Sequence, residues 1–387
     1  MYKYTTLNPI SSIGLDLFGA DYEKTDDAAA ADAILVRSAN MREMELAGSV
    51  LAIARAGAGV NNIPLDDCAK KGIVVFNTPG ANANGVKELT IAGMLLACRD
   101  IIGGNRWVAE NKSDPSINKS MEKAKSKFAG SEIYGKKLGI IGLGAIGARL
   151  ANVAVDLGME VYGCDPYISI DGAWNLSRKI VHVSSRDEIY RECDFISVHV
   201  PLADDTKKMI NSQTLSMMKD GVVILNFARD LLVDDDAMEQ ALSSGKVKKY
   251  VTDFPNAKTA NMDGVIAFPH LGASTAESED NCAVMAVRQL RDYIENGNIK
   301  NSVNYPDCSL GECNNAQRIA ICHRNIPNII STFTSTLAGE GVNISNMVNK
   351  SRGEYAYTLI DADARVADSV IAGIALTEGI IKVRVVK

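Results

Sequence analysis

The amino-acid sequence predicts an α/β protein built on a doubly wound parallel sheet, with a smaller unit before it and another after it. Three observations support this fold class. Short β-branched runs alternate with helical lengths over most of the 387 residues. A glycine-rich turn joins one such run to a helix. Residues 316–387 restart a separate strand and helix pattern after an irregular linker.

Composition and charge narrow the class of protein. Hydrophobic residues make up 47% and charged residues 23% of the chain, as in an ordinary globular protein. The net charge of −6 and the lack of a long basic run argue against nucleic acid or a membrane as the main partner. No signal-peptide pattern and no apolar run of about 18 residues occur, so we expect a cytoplasmic protein. The eight scattered cysteines then indicate reduced thiols.

The first unit contains three short apolar runs, "DAILVRSAN", "LAIARAGAG" and "GIVVFNTPG", each ending in Gly, Asn or Pro. Helix-like segments such as Leu65–Lys71 lie between them, which predicts a small parallel α/β unit. Residues 83–102 are apolar and free of proline, which predicts a long and largely buried helix leading into a new domain.

In the middle of the chain, short β-branched runs alternate with helical lengths, as in a doubly wound sheet. The successive runs are "KLGIIGLG", "MEVYGCD", "CDFISVHVP", "GVVILNFAR", "VKKYVTDF" and "GVIAFPHLG". A long helix over residues 275–298 then returns to cover the first unit, which makes that unit discontinuous in sequence. We therefore predict three domains: residues 1–95 with 272–305, residues 96–271, and residues 316–387.

The last domain follows the linker "SVNYPDCSLGECNNAQ". "RIAICHR" reads as a strand, and the next segment places Ile326, Ile329, Ile330, Phe333 and Leu337 on one helical face. "NISNMVNK", "EYAYTLIDAD" and "IIKVRVV" supply further strands around a second helix over residues 367–376. This order predicts a β-α-β-β-α-β unit of the ferredoxin type.

The glycine-rich turn is a G-x-G-x-x-G array made by Gly142, Gly144 and Gly147. In such an array the first glycine makes the turn, the second lets the backbone approach a pyrophosphate, and the third lets the helix pack on the strand. Asp165 ends the next strand, 18 residues after Gly147, where a carboxylate can accept bonds from ribose hydroxyls. The pattern predicts dinucleotide binding and favours NAD over NADP, although Asp165 could also be a loop cap.

Two polar residues follow later strands of the same predicted sheet. Arg229 comes after "GVVILNFA" and could hold a substrate carboxylate and carbonyl, and His270 comes after "GVIAFP" and could exchange a proton with a hydroxyl. Taken singly, a surface salt bridge and a satisfied core imidazole would explain them. Together, beside a dinucleotide fold, they indicate a dehydrogenase site.

Several ordered segments carry a family resemblance: "LGIIGLGAIGARL", "NFARDLLVDDDAM", "FPHLGASTAES", "GAGVNNIPLDDCAKKGIVVFNTPGANANGVKELT" and "KFAGSEIYGKKLGIIGLG". Over residues ~1–305 the chain resembles the D-isomer-specific 2-hydroxyacid dehydrogenases. The resemblance implies a Rossmann-type NAD-binding domain over 96–271 and a flavodoxin-like substrate-binding domain over 1–95 and 272–305. The C-terminal unit is similar to an ACT domain, an amino-acid-sensing module.

The resemblance also implies residue roles. His270 would be the general acid and base, and Arg229 would bind the carboxylate. The cofactor would contact Thr78, Gly142, Gly144, Ala145, Ile146, Gly147, Asp165, Val200, Phe227, Ala228, Arg229, Asp253, His270, Gly272 and Ala273. The substrate, a small phosphorylated 2-hydroxy acid, would contact Arg37, Ser38, Arg55, Ala58, Gly59 and Val60, with the two arginines facing its phosphate; either arginine could instead be a surface residue.

The chain departs from the family pattern at one catalytic position. A glutamate that bonds the histidine is expected in "YVTDFPNAKTANMDG", yet Ala257 or Lys258 stands there, and no Glu occurs between Glu239 and Glu277. Asp230 also stands where the family commonly has Gly. We interpret the chain as a variant enzyme; the alternatives are a dehydrogenase for another 2-hydroxy acid, or a sensor of NAD and amino acids with impaired catalysis.

The ACT resemblance implies a regulatory site for an amino acid. His323, Asn325 and Asn343 match residues that contact serine in such domains, so L-serine is the expected effector, while turn and cap roles would equally explain these residues. The family implies a homodimer or homotetramer. We expect no metal site, because the spacing of Cys308, Cys313 and Cys322 fits no zinc pattern.

Overall fold

The computed structural model describes residues 1–386, which divide into two compact units. The terminal unit consists of Met1–Ala81 together with the chain from Glu279 onward, and the central unit is Asn82–Ser278. No helix within residues 1–386 combines the length and the apolar character that a membrane crossing requires.

The strands form three sheets. The first contains β1 (Tyr2–Thr6), β2 (Tyr22–Lys24), β3 (Ala33–Val36), β4 (Ala52–Arg55) and β5 (Val74–Phe76). The second contains β6 (Lys137–Ile141), β7 (Glu160–Cys164), β8 (Val181–His182), β9 (Phe195–Val198), β10 (Val222–Asn226), β11 (Val247–Thr252) and β12 (Val265–Ala267). The third contains β13 (Gln317–Arg324), β14 (Ile344–Arg352), β15 (Tyr355–Ala362) and β16 (Ile380–Val385).

The α-helices, in chain order, are α1 (Ser12–Leu15), α2 (Leu65–Lys70), α3 (Ala83–Cys98), α4 (Ile101–Glu110), α5 (Ile117–Ala124), α6 (Ala145–Asp156), α7 (Ile170–Trp174), α8 (Arg186–Glu192), α9 (Ser212–Met217), α10 (Asp235–Ser243), α11 (Ala276–Asn296), α12 (Ile329–Gly339) and α13 (Asp368–Ala375). Short 3₁₀ turns cover Ala28–Ala30, Lys125–Phe128, Asp230–Leu232 and Thr259–Asn261.

The first sheet has the strand order β2-β1-β3-β4-β5, and its strands pair in parallel. Strands β3 and β5 are buried along their whole length, as expected for a parallel sheet covered on both faces. From α11, Ala286, Val287 and Leu290 join the same apolar core as Phe76. The returning helix therefore belongs to the terminal unit from Glu279 onward.

The central sheet is parallel throughout, with the order β12-β11-β10-β9-β6-β7-β8. The chain runs from β6 outward to β8, then crosses over to β9 and runs the other way to β12. The strand order thus reverses between β6 and β9, and this reversal defines a topological switch point. In such sheets ligands bind beyond the carboxyl ends of the strands at that point. The predicted doubly wound fold is confirmed.

The third sheet is antiparallel, with the order β14-β15-β13-β16. Together with α12 and α13 it has the predicted β-α-β-β-α-β order and a ferredoxin-like strand arrangement. Neighbouring residues of β13 point to opposite faces. Ile319 and Ile321 pack with Phe333 under the two helices, whereas Ala320 and Cys322 join the core of the first sheet. Both faces of this sheet are therefore covered within the terminal unit.

The predicted helix over residues 83–102 is wrong at its end. Helix α3 stops at Cys98 because Arg99 is extended, with φ −135° and ψ 144°. Asp100 then begins α4, and its Oδ1 accepts a hydrogen bond from the Gly103 N–H at 2.9 Å. The Asp100 side chain caps a new helix and so favours a break between α3 and α4. The apolar pattern continues through this break and does not reveal it.

Candidate active site

The glycine turn lies at the switch point, between β6 and α6. Gly142 has φ +94°, and a Cβ there would lie 2.7 Å from the His199 carbonyl oxygen and 3.0 Å from Val200 Cγ1. A Cβ on Gly147 would lie 1.9 Å from the Gly142 carbonyl oxygen. Both positions therefore require glycine for reasons internal to the protein.

Gly144 differs from the other two glycines, because a Cβ there would meet no atom within 4 Å. It is the N-cap of α6, and no side chain caps this helix end. The helix N-terminus at Ala145 and Ile146 is open, and it carries a partial positive charge that suits a phosphate group. The turn therefore has room and polarity for the pyrophosphate of a dinucleotide.

Asp165 follows β7 and is bonded to the glycine turn. Its Oδ2 accepts from the Leu143 N–H at 2.8 Å, and its Oδ1 accepts from the Tyr167 N–H at 2.9 Å. A carboxylate has about four acceptor positions, so each oxygen keeps capacity for a further donor. The geometry fits the ribose hydroxyls of NAD, as the sequence predicts, and the loop-cap role is present at the same time.

The other predicted cofactor residues of the central unit follow β9, β10, β11 and β12. The carboxyl ends of these parallel strands meet at one edge of the sheet, and there the structure brings together Val200, Ala228, Arg229, Asp253 and His270. Phe227 differs from these residues, because its side chain is buried in the core beside α3. Its ring is therefore a packing group, and only its backbone remains for a ligand.

Arg229 and His270 are both exposed, and both contact the same ring. The Arg229 guanidinium carbon lies 5.7 Å from the centroid of Phe254, and the His270 ring centroid lies 4.6 Å from it. A cation over an aromatic face is a favourable arrangement. The structure thus brings the two predicted catalytic side chains to one aromatic neighbour, which the sequence analysis did not identify.

The backbone of His270 has φ +56°, a conformation that non-glycine residues rarely adopt. The buried Asp253 stabilises this turn, because its Oδ1 accepts from the Leu271 N–H at 2.7 Å and its Oδ2 from the Gly272 N–H at 2.8 Å. Burial raises the pKa of the Asp253 carboxyl, although these N–H donors act in the opposite direction. Asp253 therefore has a clear structural task beside its predicted contact with the cofactor.

Within residues 1–386 no ion pair or hydrogen bond joins the His270 ring to a carboxylate. Ala257 is exposed, and the Lys258 ammonium pairs with Asp236 and, at 2.9 Å, with Glu239 on α10. These pairs raise the pKa of Lys258. Within residues 1–386 the expected glutamate thus has no replacement that hydrogen-bonds the imidazole, although the Asp253 carboxylate interacts electrostatically with His270.

The predicted substrate residues lie in the terminal unit, at the ends of β3 and β4. Asn8 Oδ1 accepts from the N–H groups of Arg37 and Ser38, each at 3.0 Å, which shapes the loop after β3. Arg55 Nε donates to the Arg37 carbonyl oxygen at 3.1 Å. The two arginines are therefore neighbours, and Arg37 is half-exposed and pairs with Glu279 at 2.7 Å.

The loop after β4 contains the remaining predicted substrate residues, Ala58, Gly59 and Val60. Asn77 Nδ2 donates to the Ala58 carbonyl oxygen at 2.7 Å, while Gly59 faces open space. Thr78 is fully buried, and its N–H donates to the Gly57 carbonyl oxygen at 3.1 Å. The bonds from Asn77 and Thr78 thus fix the backbone conformation of this loop at Gly57 and Ala58.

The predicted regulatory residues do not meet within one chain. His323 is buried; its Nδ1 lies 2.8 Å from the Arg324 carbonyl oxygen and its Nε2 2.9 Å from Thr358 Oγ1, and burial lowers its pKa. Asn325 and Asn343 are exposed at opposite ends of the sheet, because Arg324 pairs with Tyr355 whereas Asn343 precedes Ile344, the partner of Ala362. Seven residues of strand separate these ends by about 23 Å.

Among residues 1–386, no group of three or more His, Cys, Asp or Glu side chains could hold a metal ion. All eight cysteines are buried. Burial raises the pKa of the Cys322 thiol to about 11, so its thiolate form is disfavoured.

The chain belongs to the family of the D-isomer specific 2-hydroxyacid dehydrogenases, and it has the fold of that family. Residues 91–272 match the NAD binding domain of the family. The chain is therefore an NAD-dependent oxidoreductase.

Relatives of the chain include D-3-phosphoglycerate dehydrogenases. The one from Haemophilus influenzae is 30% identical over 353 residues, which cover 88% of this chain and 82% of the relative. The one from Escherichia coli K12 is 32% identical over 354 residues, covering 87% and 82%. The crystal structure of NAD⁺-bound 3-phosphoglycerate dehydrogenase from Entamoeba histolytica has a TM-score of 0.61 and 28% identity, over 78% of this chain and 98% of that one.

Proposed function

We propose that the chain oxidises D-3-phosphoglycerate to 3-phosphohydroxypyruvate with NAD, the first step of the phosphorylated route to L-serine. The observation that carries the proposal is the placement of Arg229 and His270 on Phe254, at the same sheet edge as the glycine turn. The names of the relatives support the choice of substrate.

The chemistry of the step follows from these residues. When bound, NAD accepts the hydride that leaves C2 of the substrate. The His270 imidazole accepts the hydroxyl proton, so that a carbonyl forms at C2. The Arg229 guanidinium holds the neighbouring carboxylate with two parallel N–H bonds and favours the growing negative charge on oxygen.

Substrate choice is assigned to Arg37 and Arg55, which would face the phosphate. Two neighbouring guanidinium groups suit a phosphate dianion. In the structure Arg37 pairs with Glu279, so a bound phosphate would have to replace that carboxylate. The pair also explains how a chain with a net charge of −6 attracts an anionic substrate. A dehydrogenase that acts on an unphosphorylated 2-hydroxy acid would not need these two arginines.

The experiment is an assay of NADH formation from D-3-phosphoglycerate, with D-glycerate as the matched substrate that lacks the phosphate. We expect turnover of the first and a much higher KM for the second. Turnover of D-glycerate with an equal KM would favour another 2-hydroxy acid. No turnover of either compound, and no reduction of 2-keto acids at any pH, would leave a catalytically impaired sensor as the better description.

A second part of the proposal concerns residues 316–387, which we assign as an ACT domain that binds L-serine and lowers turnover. Supporting features are the β-α-β-β-α-β order and the exposed amides of Asn325 and Asn343, each able to donate and accept. Because these amides lie at opposite ends of one sheet, a site that uses both would need a second copy of the chain. Titration with L-serine, with D-serine as control, and sedimentation of the protein test this assignment and the expected dimer or tetramer.

A further inference from the structure

The loop that lacks the expected glutamate is held by the ion pairs of Lys258 and by the side chain of Asn256. Its Nδ2 donates to Asp235 Oδ2 at 2.8 Å and to Asp230 Oδ1 at 3.1 Å. Its Oδ1 accepts from the N–H groups of Lys258 and Thr259, both at 2.9 Å. Both donors and both acceptor positions of the carboxamide are thus used, so its orientation is defined by its partners.

The two carboxylates that Asn256 joins are themselves closely placed and partly removed from water. Burial raises the pKa of Asp230, and the charge of Asp235 acts in the same direction, whereas the Asn256 bond opposes it. Asp235 Oδ1 is buried and has no hydrogen-bond partner within residues 1–386. The amide is therefore the group that lets two acidic side chains share this position.

Arg229 lies directly beside this network. On one side, Asn226 Nδ2 donates to the Arg229 carbonyl oxygen at 2.9 Å, and Asn226 Oδ1 accepts from the Ala228 N–H at 3.2 Å. On the other side, the next residue, Asp230, is bonded to Asn256. The backbone of Arg229 is thus held from β10 and from the loop after β11 at once.

The same loop carries Phe254, two residues before Asn256, and this ring contacts both Arg229 and His270. We propose that Asn256 is a positioning residue for the dehydrogenase reaction. By bridging Asp230 and Asp235, it holds the Arg229 loop against the Phe254 loop. The His270 ring is then oriented by packing on Phe254 instead of by a hydrogen bond to a carboxylate. This inference rests on the proposed function, since it assigns Arg229 and His270 to catalysis.

The test compares Asn256→Asp with Asn261→Asp, a matched control in the same loop. Asn261 is exposed, and its Nδ2 donates only to the Ala257 carbonyl oxygen, at 2.7 Å. Asn256→Asp replaces two donors by an acceptor facing two carboxylates. A displacement of about 1 Å costs about a hundredfold in rate, so we expect kcat to fall by that order with little change in the KM for NAD. The control should keep the parent kcat.

The exchange N256D with D235N restores an amide beside a carboxylate and should recover part of the lost kcat. A second readout does not depend on turnover. The chain has four histidines, so the His270 imidazole signal can be assigned in an NMR spectrum with His270→Gln. Asn256→Asp should move that signal, because the Phe254 ring current acts on it, and Asn261→Asp should not.

Equal kcat values for the two single variants, with an unmoved His270 signal in both, would overturn the proposal. If Asn256→Asp does not fold, Asn256→Ala removes both donors without added charge and is judged by the same two criteria. A parent protein without turnover would overturn the proposed function, while the NMR comparison would still decide whether Asn256 positions the His270 ring.

Discussion

Replacement of the first two glycines of the turn by alanine should separate stability from cofactor binding. At Gly142, alanine would adopt φ +94°, which costs roughly 1–2 kcal/mol for an L-residue. Its Cβ would also press on the His199 carbonyl oxygen at 2.7 Å, a backbone atom that cannot turn away. Overpacking of this kind costs about 1–3 kcal/mol. The sum is roughly 2–5 kcal/mol.

At Gly144 the expectation is the reverse. Its φ of −69° and ψ of −160° are open to alanine, and no atom lies within 4 Å of the added Cβ. Fewer unfolded conformations could even stabilise the variant by about 0.4–1 kcal/mol. The methyl group would, however, occupy the place of the pyrophosphate. Loss of one charge-assisted hydrogen bond costs about 1.5–3 kcal/mol, which is roughly a 10- to 150-fold weaker Kd for NADH.

Thermal melting and fluorescence titration with NADH measure the two effects. For a unit of this size, each kcal/mol lowers Tm by about 2–4 °C, so Gly142→Ala should lower Tm by about 10 °C. Gly144→Ala should keep the parent Tm and lose affinity. A Gly144→Ala protein that melts early but binds NADH as the parent does would refute the assignment of this turn as a pyrophosphate site.

Three further predictions concern other parts of the molecule. Burial lowers the pKa of His199 to about 4, so the unfolded chain binds a proton on this imidazole more readily than the folded chain does. The free energy of unfolding should therefore fall by up to about 3 kcal/mol as the pH drops from 6.5 to 4. In urea titrations across this range, the free energy of unfolding of His199→Gln should depend less on pH. Arg384 donates to the carbonyl oxygens of Tyr293 at 2.5 Å and Ile294 at 2.7 Å, at the end of α11. Arg384→Met should therefore cost about 3 kcal/mol by urea unfolding, because both buried acceptors lose their partner, whereas the exposed Lys300→Met should cost little. Arg37→Gln should raise the KM for D-3-phosphoglycerate about tenfold, because one charge-assisted hydrogen bond is lost, and should leave the KM for D-glycerate unchanged. Equal effects on both KM values would show that Arg37 does not bind the phosphate.

Some of the site could be predicted because it depends on local geometry. The spacing of Gly142, Gly144 and Gly147 is set by the path from a strand into a helix, and the structure gives two of them contacts that exclude any side chain. Arg229 and His270 could be placed at one edge because parallel strands bring their carboxyl ends together. The family-derived roles of individual residues stay predictions.

Other features could not be predicted, because they depend on which residues distant in sequence come into contact. The absence of the glutamate was visible, but not that Phe254 would lie against both Arg229 and His270. The linker and strand pattern of the last domain could not show that Lys382 would donate to the carbonyl oxygens of Gly48 and Val50, more than 300 residues earlier. Nor could a motif match show that His323 is buried and already bonded.

The sequence by itself determined the fold class, the cofactor turn and the family, because each follows from periodicity or from residues close together in the chain. Only the tertiary structure decided how the loop after β11, which lacks the expected glutamate, is held in place. The amide of Asn256 joins the carboxylates of Asp230 and Asp235, which lie in the segment after β10. Hydrogen bonds of this kind depend on positions in space that no spacing in the chain encodes. In the sequence, "TDFPNAK" shows only that the expected glutamate is missing. In the fold, the same segment supplies the amide that bridges Asp230 and Asp235.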